Sequence, residues 1–262
     1  MIRTIQNGPV LHAIIDRPET RNAINFGVMS QLEEILDQLE SDDSILVFAL
    51  RGSHGSFVSG GDLREFHQLT SEDEALDMGR RMLKILQRIE ALDCWTVCLV
   101  NGAAYGGGWE MMLSFDMRVA LPEMKFGFTQ GRFYLPPGWG GLERLVRVVG
   151  QDNSKWLLSG QRVIDANRAL ALGLIQEVIE SEEKFEEWIQ PMTMNDREYI
   201  RHVKRFANGE GWNSAKSLAD EANLSDSGSK FPEDEAELIS FAKFWTHEEH
   251  TSRIEAFLKS RK

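Results

Sequence analysis

Apolar residues in the first half of the chain follow two alternating patterns. Short runs rich in β-branched residues predict buried strands at 10–15, 45–50, 96–100 and 117–120. Between these runs, apolar residues at 29–39 and 75–92 recur at helical spacing and predict two amphipathic helices. Strands that alternate with helices indicate an α/β domain in which helices cover a largely buried sheet.

Two predicted helices carry start signals. Ser71 followed by Glu74 forms a capping box ahead of the helix at 75–92. Asp62 stands before Leu63, where a carboxylate satisfies the first free N–H groups of a helix. Both signals predict where the chain turns into a helix.

The pattern changes after about residue 142, where helical spacing dominates. From 192 onward the sequence predicts helices alone, with breaks at 208–211 and 225–229 and final helices at 233–246 and 248–258. The predicted organisation is therefore a core at 1–191 and a helical C-terminal region at 192–262. The sequence shows no internal repeat.

Composition and charge narrow the class of protein. The chain has 262 residues, 42% of them hydrophobic, enough for one large domain or one domain with an appendage. Its net charge of −12 disfavours nucleic acid and anionic membranes as partners, because both attract basic faces. No run of 18 apolar residues and no signal-peptide core occur, so we expect a cytoplasmic protein.

The cysteines and the two C-terminal histidines do not form a pattern that indicates a metal site or a disulfide. Cys94 and Cys98 lie four residues apart in or beside an apolar run and predict buried, reduced thiols. His247 and His250 lack the spacing of a zinc-binding helix. We therefore expect no metal site.

A glycine-rich segment carries the strongest chemical signal. Asn-Gly-Ala-Ala-Tyr-Gly-Gly-Gly-Trp-Glu at 101–110 follows a predicted strand and opens a predicted helix. Consecutive glycines permit close backbone approach, and the helix start presents unpaired N–H groups. We expect an anion-stabilising pocket with Glu110 at its rim, suited to chemistry beside a carbonyl.

The fingerprints of dinucleotide-binding folds, phosphate-binding loops and Gly-x-Ser-x-Gly hydrolases are missing from the sequence.

Three segments together resemble the crotonase (enoyl-CoA hydratase/isomerase) superfamily. They are Arg-Pro-Glu-Thr-Arg-Asn-Ala-Ile at 17–24, Phe-Val-Ser-Gly-Gly-Asp-Leu at 57–63, and the glycine-rich segment at 101–110. The resemblance continues through residues 126–127, 137–141, 158–160 and 169–173 to Ala-Phe-Leu-Lys at 256–259. It implies a spiral of ββα units with a helical C-terminal region, assembled as a homotrimer or homohexamer.

The resemblance also implies the ligand and the positions that bind it. The ligand would be an acyl-CoA thioester, with coenzyme A as part of the substrate and no separate cofactor. By motif position, backbone N–H groups of Ser59 and Gly107 would hold the thioester oxygen. The family more often has alanine at the first position, but a backbone donor does not depend on the side chain.

The remaining expected contacts follow from the same motifs. We expect Ala23 to meet the adenine and Arg21 or Arg17 to meet phosphates, unless the arginines are ordinary surface charges. Lys259 would reach a nucleotide phosphate. The other residues expected to bind substrate are Gly60, Asp62, Tyr105 and Trp139.

One position departs from the hydratase pattern. Typical hydratases of the family carry two glutamates, and here Glu110 is kept while the second position is Gln130. An amide does not exchange a proton near neutral pH, so efficient hydration is doubtful. The main expectation is an enzyme of hydratase/isomerase type that acts through a thioester enolate, with Glu110 as proton carrier.

Two alternatives remain open. Trp-Gly-Gly at 139–141 resembles a stretch in family members that decarboxylate malonyl-type CoA esters, for which Gln130, Tyr105, Arg132 or Tyr134 would orient the carboxylate. That reaction needs an oxyanion site but no base, because departing CO2 leaves the electrons behind. The chain could also be an acyl-CoA-binding protein without turnover.

Overall fold

The computed structural model describes residues 1–208 and six later residues, at 248, 250, 252, 253, 256 and 259. Its contacts divide the chain into two units, Met1–Ile200 and Arg201–Lys262. The predicted helix at 233–246 and the predicted breaks lie outside the described residues, apart from Asn208. Five described residues within the predicted helix at 248–258 are helical.

The first unit contains two β-sheets. The larger sheet has the strand order β1-β2-β3-β5-β7-β10, and the smaller has the order β4-β6-β8-β9. In the larger sheet only β1 runs antiparallel to its neighbour. The strands are β1 (Ile2–Asn7), β2 (Val10–Ile15), β3 (Val47–Gly52), β4 (Ser56–Val58), β5 (Trp95–Val100), β6 (Ala103–Tyr105), β7 (Met117–Ala120), β8 (Lys125–Gly127), β9 (Val163–Asp165) and β10 (Glu177–Val178).

The chain repeats one path through these sheets. From β3 to β8, each odd-numbered strand joins the larger sheet, and the next joins the smaller one before a helix follows. This is the ββα spiral. The helices are α1 (Phe26–Ser41), α2 (Leu63–Phe66), α3 (Glu72–Ala91), α4 (Gly107–Met112), α5 (Gly141–Ser159), α6 (Ala166–Ala171), α7 (Glu182–Ile189) and α8 (Arg197–Ala207).

The core occupies both faces of the larger sheet. One face packs with α1, α3, α4 and the smaller sheet around side chains such as Phe48 and Trp109. The other face is covered by α7, whose Phe185 and Ile189 are almost fully buried. The fully buried apolar runs read from the sequence are therefore parallel strands covered on both sides.

Both start signals are confirmed. Asp62 accepts a hydrogen bond from the Arg64 N–H at the start of α2. Ser71 and Glu74 form the reciprocal capping box of α3. Cys94 and Cys98 are buried free thiols, as predicted.

Several short strands correct the sequence interpretation. The segment between β5 and α4 is not a plain turn, because it contains β6, and the stretch after 142 contains β9 and β10. These strands have two or three residues each, too few to display a period of two. No helix in the described ranges has the length and apolar character that a bilayer crossing requires.

Candidate active site

Two glycine-bearing loops meet where β4 and β6 of the smaller sheet end. Gly106 and Gly60 both have positive φ, 52° and 113°, which glycine adopts without strain. A methyl group built on Gly60 would lie 3.3 Å from the Gly107 nitrogen. Gly107 is the first residue of α4, so its N–H has no carbonyl acceptor within the helix. The loops are thus adjacent, with a helix-start N–H group at their junction.

Ser59 contacts the segment before α1 through two donors. Its backbone N–H donates to the Arg21 carbonyl at 3.2 Å. Its hydroxyl donates to the Thr20 carbonyl at 3.0 Å. The serine side chain therefore matters at this position, because an alanine would lose the hydrogen bond to the Thr20 carbonyl.

A cavity of about 500 Å³ opens beside these loops. Three exposed arginines lie on its wall, Arg21, Arg64 and Arg132, and none forms an ion pair with a described residue. The other lining residues are Glu19, Thr20, Ala23, Ser56, Ser59, Gly61, Asp62, Leu63, Ala103, Tyr105, Thr129 and Phe133. The cavity therefore offers unpaired positive charge to an anionic ligand.

Arg17 does not contribute to that positive charge, which corrects its expected role at a phosphate. Its guanidinium is largely buried and donates to the Ala23 carbonyl and to Asp62. Asn22 is fully buried, accepts from the Arg17 N–H and donates to the Ser53 and Ser56 carbonyls. Arg17 and Asn22 hold the loop that carries Arg21.

Glu110 is buried rather than placed at the cavity rim. It is 3% exposed, and its carboxylate accepts four N–H bonds. The donors are the backbone of Trp139 at 2.8 Å, Gly141 at 3.0 Å and Gly138 at 3.4 Å, and the Gln130 amide at 3.0 Å. Burial raises the pKa of Glu110 above its ordinary value, and the four donors oppose that rise.

Gln130 has a partner at each end of its amide. Its nitrogen donates to Glu110, and its oxygen accepts from the Trp109 indole N–H at 3.0 Å. Trp109 is fully buried and its ring packs against Phe128. These bonds fix the amide orientation and hold Gln130 to Glu110.

The Trp139 indole lies directly over Gly107. A methyl group on Gly107 would come within 2.1 Å of that ring, and one on Gly61 within 3.5 Å. A methyl group on Gly141 would come within 2.3 Å of the Glu110 side chain. The segment 138–141 therefore packs onto both Glu110 and the start of α4, and only glycine fits at 107 and 141.

The structure sorts the sequence-predicted site residues into three groups. Arg21, Ala23, Ser59, Asp62, Tyr105 and Arg132 line the cavity. Gly60 and Gly107 lie where the two glycine loops meet, and Gln130 and Trp139 donate hydrogen bonds to Glu110.

Besides Arg17, two candidates fall outside these groups. Tyr134 is 98% exposed and does not line the cavity, so it does not orient a ligand there. Lys259 is an exposed helical residue of the second unit, and its phosphate contact stays a prediction.

Sequence reasoning missed Arg64, Thr129 and Arg144. Arg64 and Thr129 line the cavity, while Arg144 is buried behind Trp139. Arg64 follows two residues after the Asp62 cap, and that position was the available signal. Arg144 lies four residues after Gly140 in α5, and nothing in its neighbourhood distinguishes it from an ordinary helix arginine.

The chain resembles known proteins over most of its length. The family model for enoyl-CoA hydratase/isomerase matches residues 5–225. A short-chain-enoyl-CoA hydratase from Clostridium acetobutylicum is 33% identical over 179 residues, which cover 68% of each chain. An ethylmalonyl-CoA decarboxylase from Homo sapiens is 31% identical over 197 residues, covering 73% of this chain but only 64% of that protein.

The fold has a close structural counterpart. An enoyl-CoA hydratase from Bacillus anthracis superposes with a TM-score of 0.83 at 23% identity, covering 99% of this chain and 96% of that one. At that identity the likeness establishes the fold, and the family-model match over residues 5–225 establishes the membership. This chain belongs to the enoyl-CoA hydratase/isomerase family, the crotonase superfamily.

Proposed function

We propose that this chain is an acyl-CoA-processing enzyme that decarboxylates a malonyl-type CoA thioester through an enolate. The observation that carries the proposal is the state of Glu110. All four of its hydrogen bonds come from N–H donors, and the second carboxylate of a hydratase is replaced by Gln130. A decarboxylase needs no base to form the enolate, so this arrangement suits it better than hydration.

The cavity supports coenzyme A as the carrier of the acyl group. Coenzyme A bears several phosphate charges, and Arg21, Arg64 and Arg132 present unpaired guanidinium groups around the opening. Guanidinium groups bind phosphate in a bidentate geometry. The same arginines let a protein of net charge −12 accept an anion locally.

The reaction balances without an external reactant other than a proton. The bond between the α carbon and the carboxylate breaks, CO2 leaves, and the electron pair forms the thioester enolate. The N–H groups of Ser59 and Gly107 would stabilise the enolate oxygen, each by about 3 kcal/mol. Protonation of the α carbon from water then gives the shortened acyl-CoA.

Binding in this pose requires one exchange of partners. The Ser59 N–H donates to the Arg21 carbonyl, so the thioester oxygen must replace that carbonyl. Arg21 and Asn22 both have positive φ, 52° and 59°, so the exchange takes place in a turn of left-handed backbone.

Hydration or isomerisation of an enoyl-CoA is the second candidate. The raised pKa of Glu110 favours it, because a carboxyl group that protonates closer to neutral pH is a better proton carrier. The similar Clostridium acetobutylicum hydratase also supports it. This candidate requires Glu110 to leave its N–H donors when substrate binds.

The test gives the enzyme two thioesters side by side. We expect CO2 release from ethylmalonyl-CoA or methylmalonyl-CoA, and no water addition to crotonyl-CoA. Hydration of crotonyl-CoA with the malonyl-type esters unchanged would select the second candidate. Tight binding of these esters in calorimetry without any product would select a non-catalytic acyl-CoA-binding protein.

We further propose that the chain assembles as a homotrimer or homohexamer, as the family resemblance implies, and that it resides in the cytoplasm. Sedimentation analysis of the purified chain decides the assembly, since a monomer over the micromolar range would contradict it.

A further inference from the structure

Behind the candidate active site, an arginine joins three elements. Arg144 on α5 is 5% exposed and donates to the Trp139 carbonyl at 2.9 Å. Its other terminal nitrogen forms an ion pair with Glu90 on α3. A methyl group on Gly140 would lie 2.6 Å from the same guanidinium. Arg144 therefore fixes the backbone of 139–140 against α3.

The same segment supplies most of the hydrogen bonds to Glu110. Trp139 holds Arg144 with its carbonyl and Glu110 with its N–H, so one residue connects the two side chains. Its indole packs over Gly107. Gly140, with a φ of 78°, completes the turn into α5. A displacement of Trp139 would change both the hydrogen bonds to Glu110 and the packing over Gly107.

We propose that Arg144 is a positioning residue for this active site, which keeps the N–H groups of 138–141 on Glu110 and the Trp139 indole over Gly107. Glu90 anchors Arg144 in turn. Its pKa lies below the ordinary value, because the bonds from Arg144 and Arg147 outweigh the opposing effect of burial. The kinetic consequence of the proposal rests on the proposed function, but its structural consequence does not.

The chain provides a matched control on the same helix. Arg147 also donates to Glu90, at 2.7 Å, but its side chain is 61% exposed, and it forms no hydrogen bond with Trp139. Arg144→Met and Arg147→Met therefore each remove one ion pair with Glu90, and only the first removes the bond to Trp139. Arg144→Lys keeps the charge but cannot reach both partners with the fork of a guanidinium.

The primary readout is the pKa of Glu110, followed by carbon NMR in glutamate-labelled protein and assigned by its absence in Glu110→Gln. Losing the Trp139 and Gly141 donors should raise that pKa by about one unit or more in Arg144→Met. In Arg144→Lys the pKa of Glu110 should lie between the wild-type value and that of Arg144→Met. This variant carries the test if Arg144→Met does not fold. Arg147→Met should match the wild type. Equal pKa values in all variants, or equal shifts in the Arg144 and Arg147 variants, would overturn the proposal.

Turnover of a malonyl-type thioester gives the second readout. We expect kcat to fall about tenfold or more in Arg144→Lys with KM within about threefold, because the cavity arginines do not depend on this segment. An unchanged kcat, or a KM rise that matches the kcat loss, would contradict the positioning role. A wild type that converts no thioester would refute the proposed function alone, and the Glu110 pKa would still decide the role of Arg144.

Discussion

Individual residues in this protein take their roles from backbone groups that approach from distant parts of the chain. Glu110 illustrates this, because the sequence placed it beside a helix start but gave no sign that 138–141 folds over it. The hydroxyl of Ser59 likewise donates to the Thr20 carbonyl, 39 residues away in the sequence. By contrast, the Asp62 cap was predictable because a cap is a local interaction. Hydrogen bonds between residues close in the sequence could be predicted from it, whereas hydrogen bonds between residues far apart could not.

Glu110→Gln should destabilise the fold. The new amide nitrogen would face N–H donors instead of accepting from them, and a buried unsatisfied donor costs about 1–3 kcal/mol. Urea unfolding measures the loss. The same change at Glu34, an exposed residue of α1, should leave the free energy of unfolding nearly unchanged. Equal stability of the two variants would show that the Glu110 bonds contribute nothing.

The raised pKa of Glu110 also predicts a pH dependence. The folded state binds the proton of Glu110 more tightly than the unfolded state, in which the carboxyl group has its ordinary pKa of 4.5. Stability from this group is therefore lost as pH rises from that value through the raised pKa. In Glu110→Gln this component should vanish, so the difference in unfolding free energy between wild type and variant should narrow with rising pH. A difference independent of pH would contradict the raised pKa.

Gln130→Glu tests the hydratase alternative directly. If a missing acid/base group limits hydration, the variant should add water to crotonyl-CoA faster than the wild type by a factor of about 10² or more. The proposed decarboxylase should instead gain no hydration, because Glu110 stays on its N–H donors. Rates on crotonyl-CoA for both proteins decide between these outcomes.

At the scale of elements, close packing makes particular glycines obligatory. The start of α4 lies beneath the Trp139 ring, and Gly107→Ala would place a methyl group 2.1 Å from it. We expect that variant to lose stability by about 1–3 kcal/mol and to lose activity. Gly79→Ala on α3 is the control, since its methyl group would meet nothing closer than 3.7 Å. A Gly107→Ala protein as stable and active as the control would contradict this packing.

Helix α7 and strand β2 meet at a buried histidine. His12 is 4% exposed, and its Nε2 lies 3.4 Å from Glu186 on α7. Burial lowers the pKa of His12, an effect that Glu186 opposes and Arg51 assists. The unfolded state then takes up the proton first, so stability falls as pH drops below 6.5. His12→Gln should reduce that loss, and a pH profile of stability identical to that of the wild type would refute the assignment.

For the whole molecule, the sequence pattern predicted the α/β class and the family resemblance implied the spiral, but neither predicted the order of strands in the sheets. The parallel pairing of β3 with β5 and β5 with β7 joins residues nearly 50 or 20 positions apart, and no local pattern records such pairing. The repeat along the spiral lacks a sequence repeat, because each second strand has only three residues. The glycine motifs predicted where the candidate site lies, since close backbone approach restricts residue type strongly.

The central claim is that the Ser59 and Gly107 N–H groups hold one thioester oxygen while Glu110 stays with its N–H donors. A crystal structure with a non-hydrolysable malonyl-type CoA thioester tests it most directly. The account predicts both nitrogens at about 2.7–3.1 Å from that oxygen, with the Arg21 carbonyl displaced and Glu110 still bound by Trp139 and Gly141. A thioester oxygen away from both nitrogens, or a Glu110 carboxylate turned toward the α carbon, would contradict it.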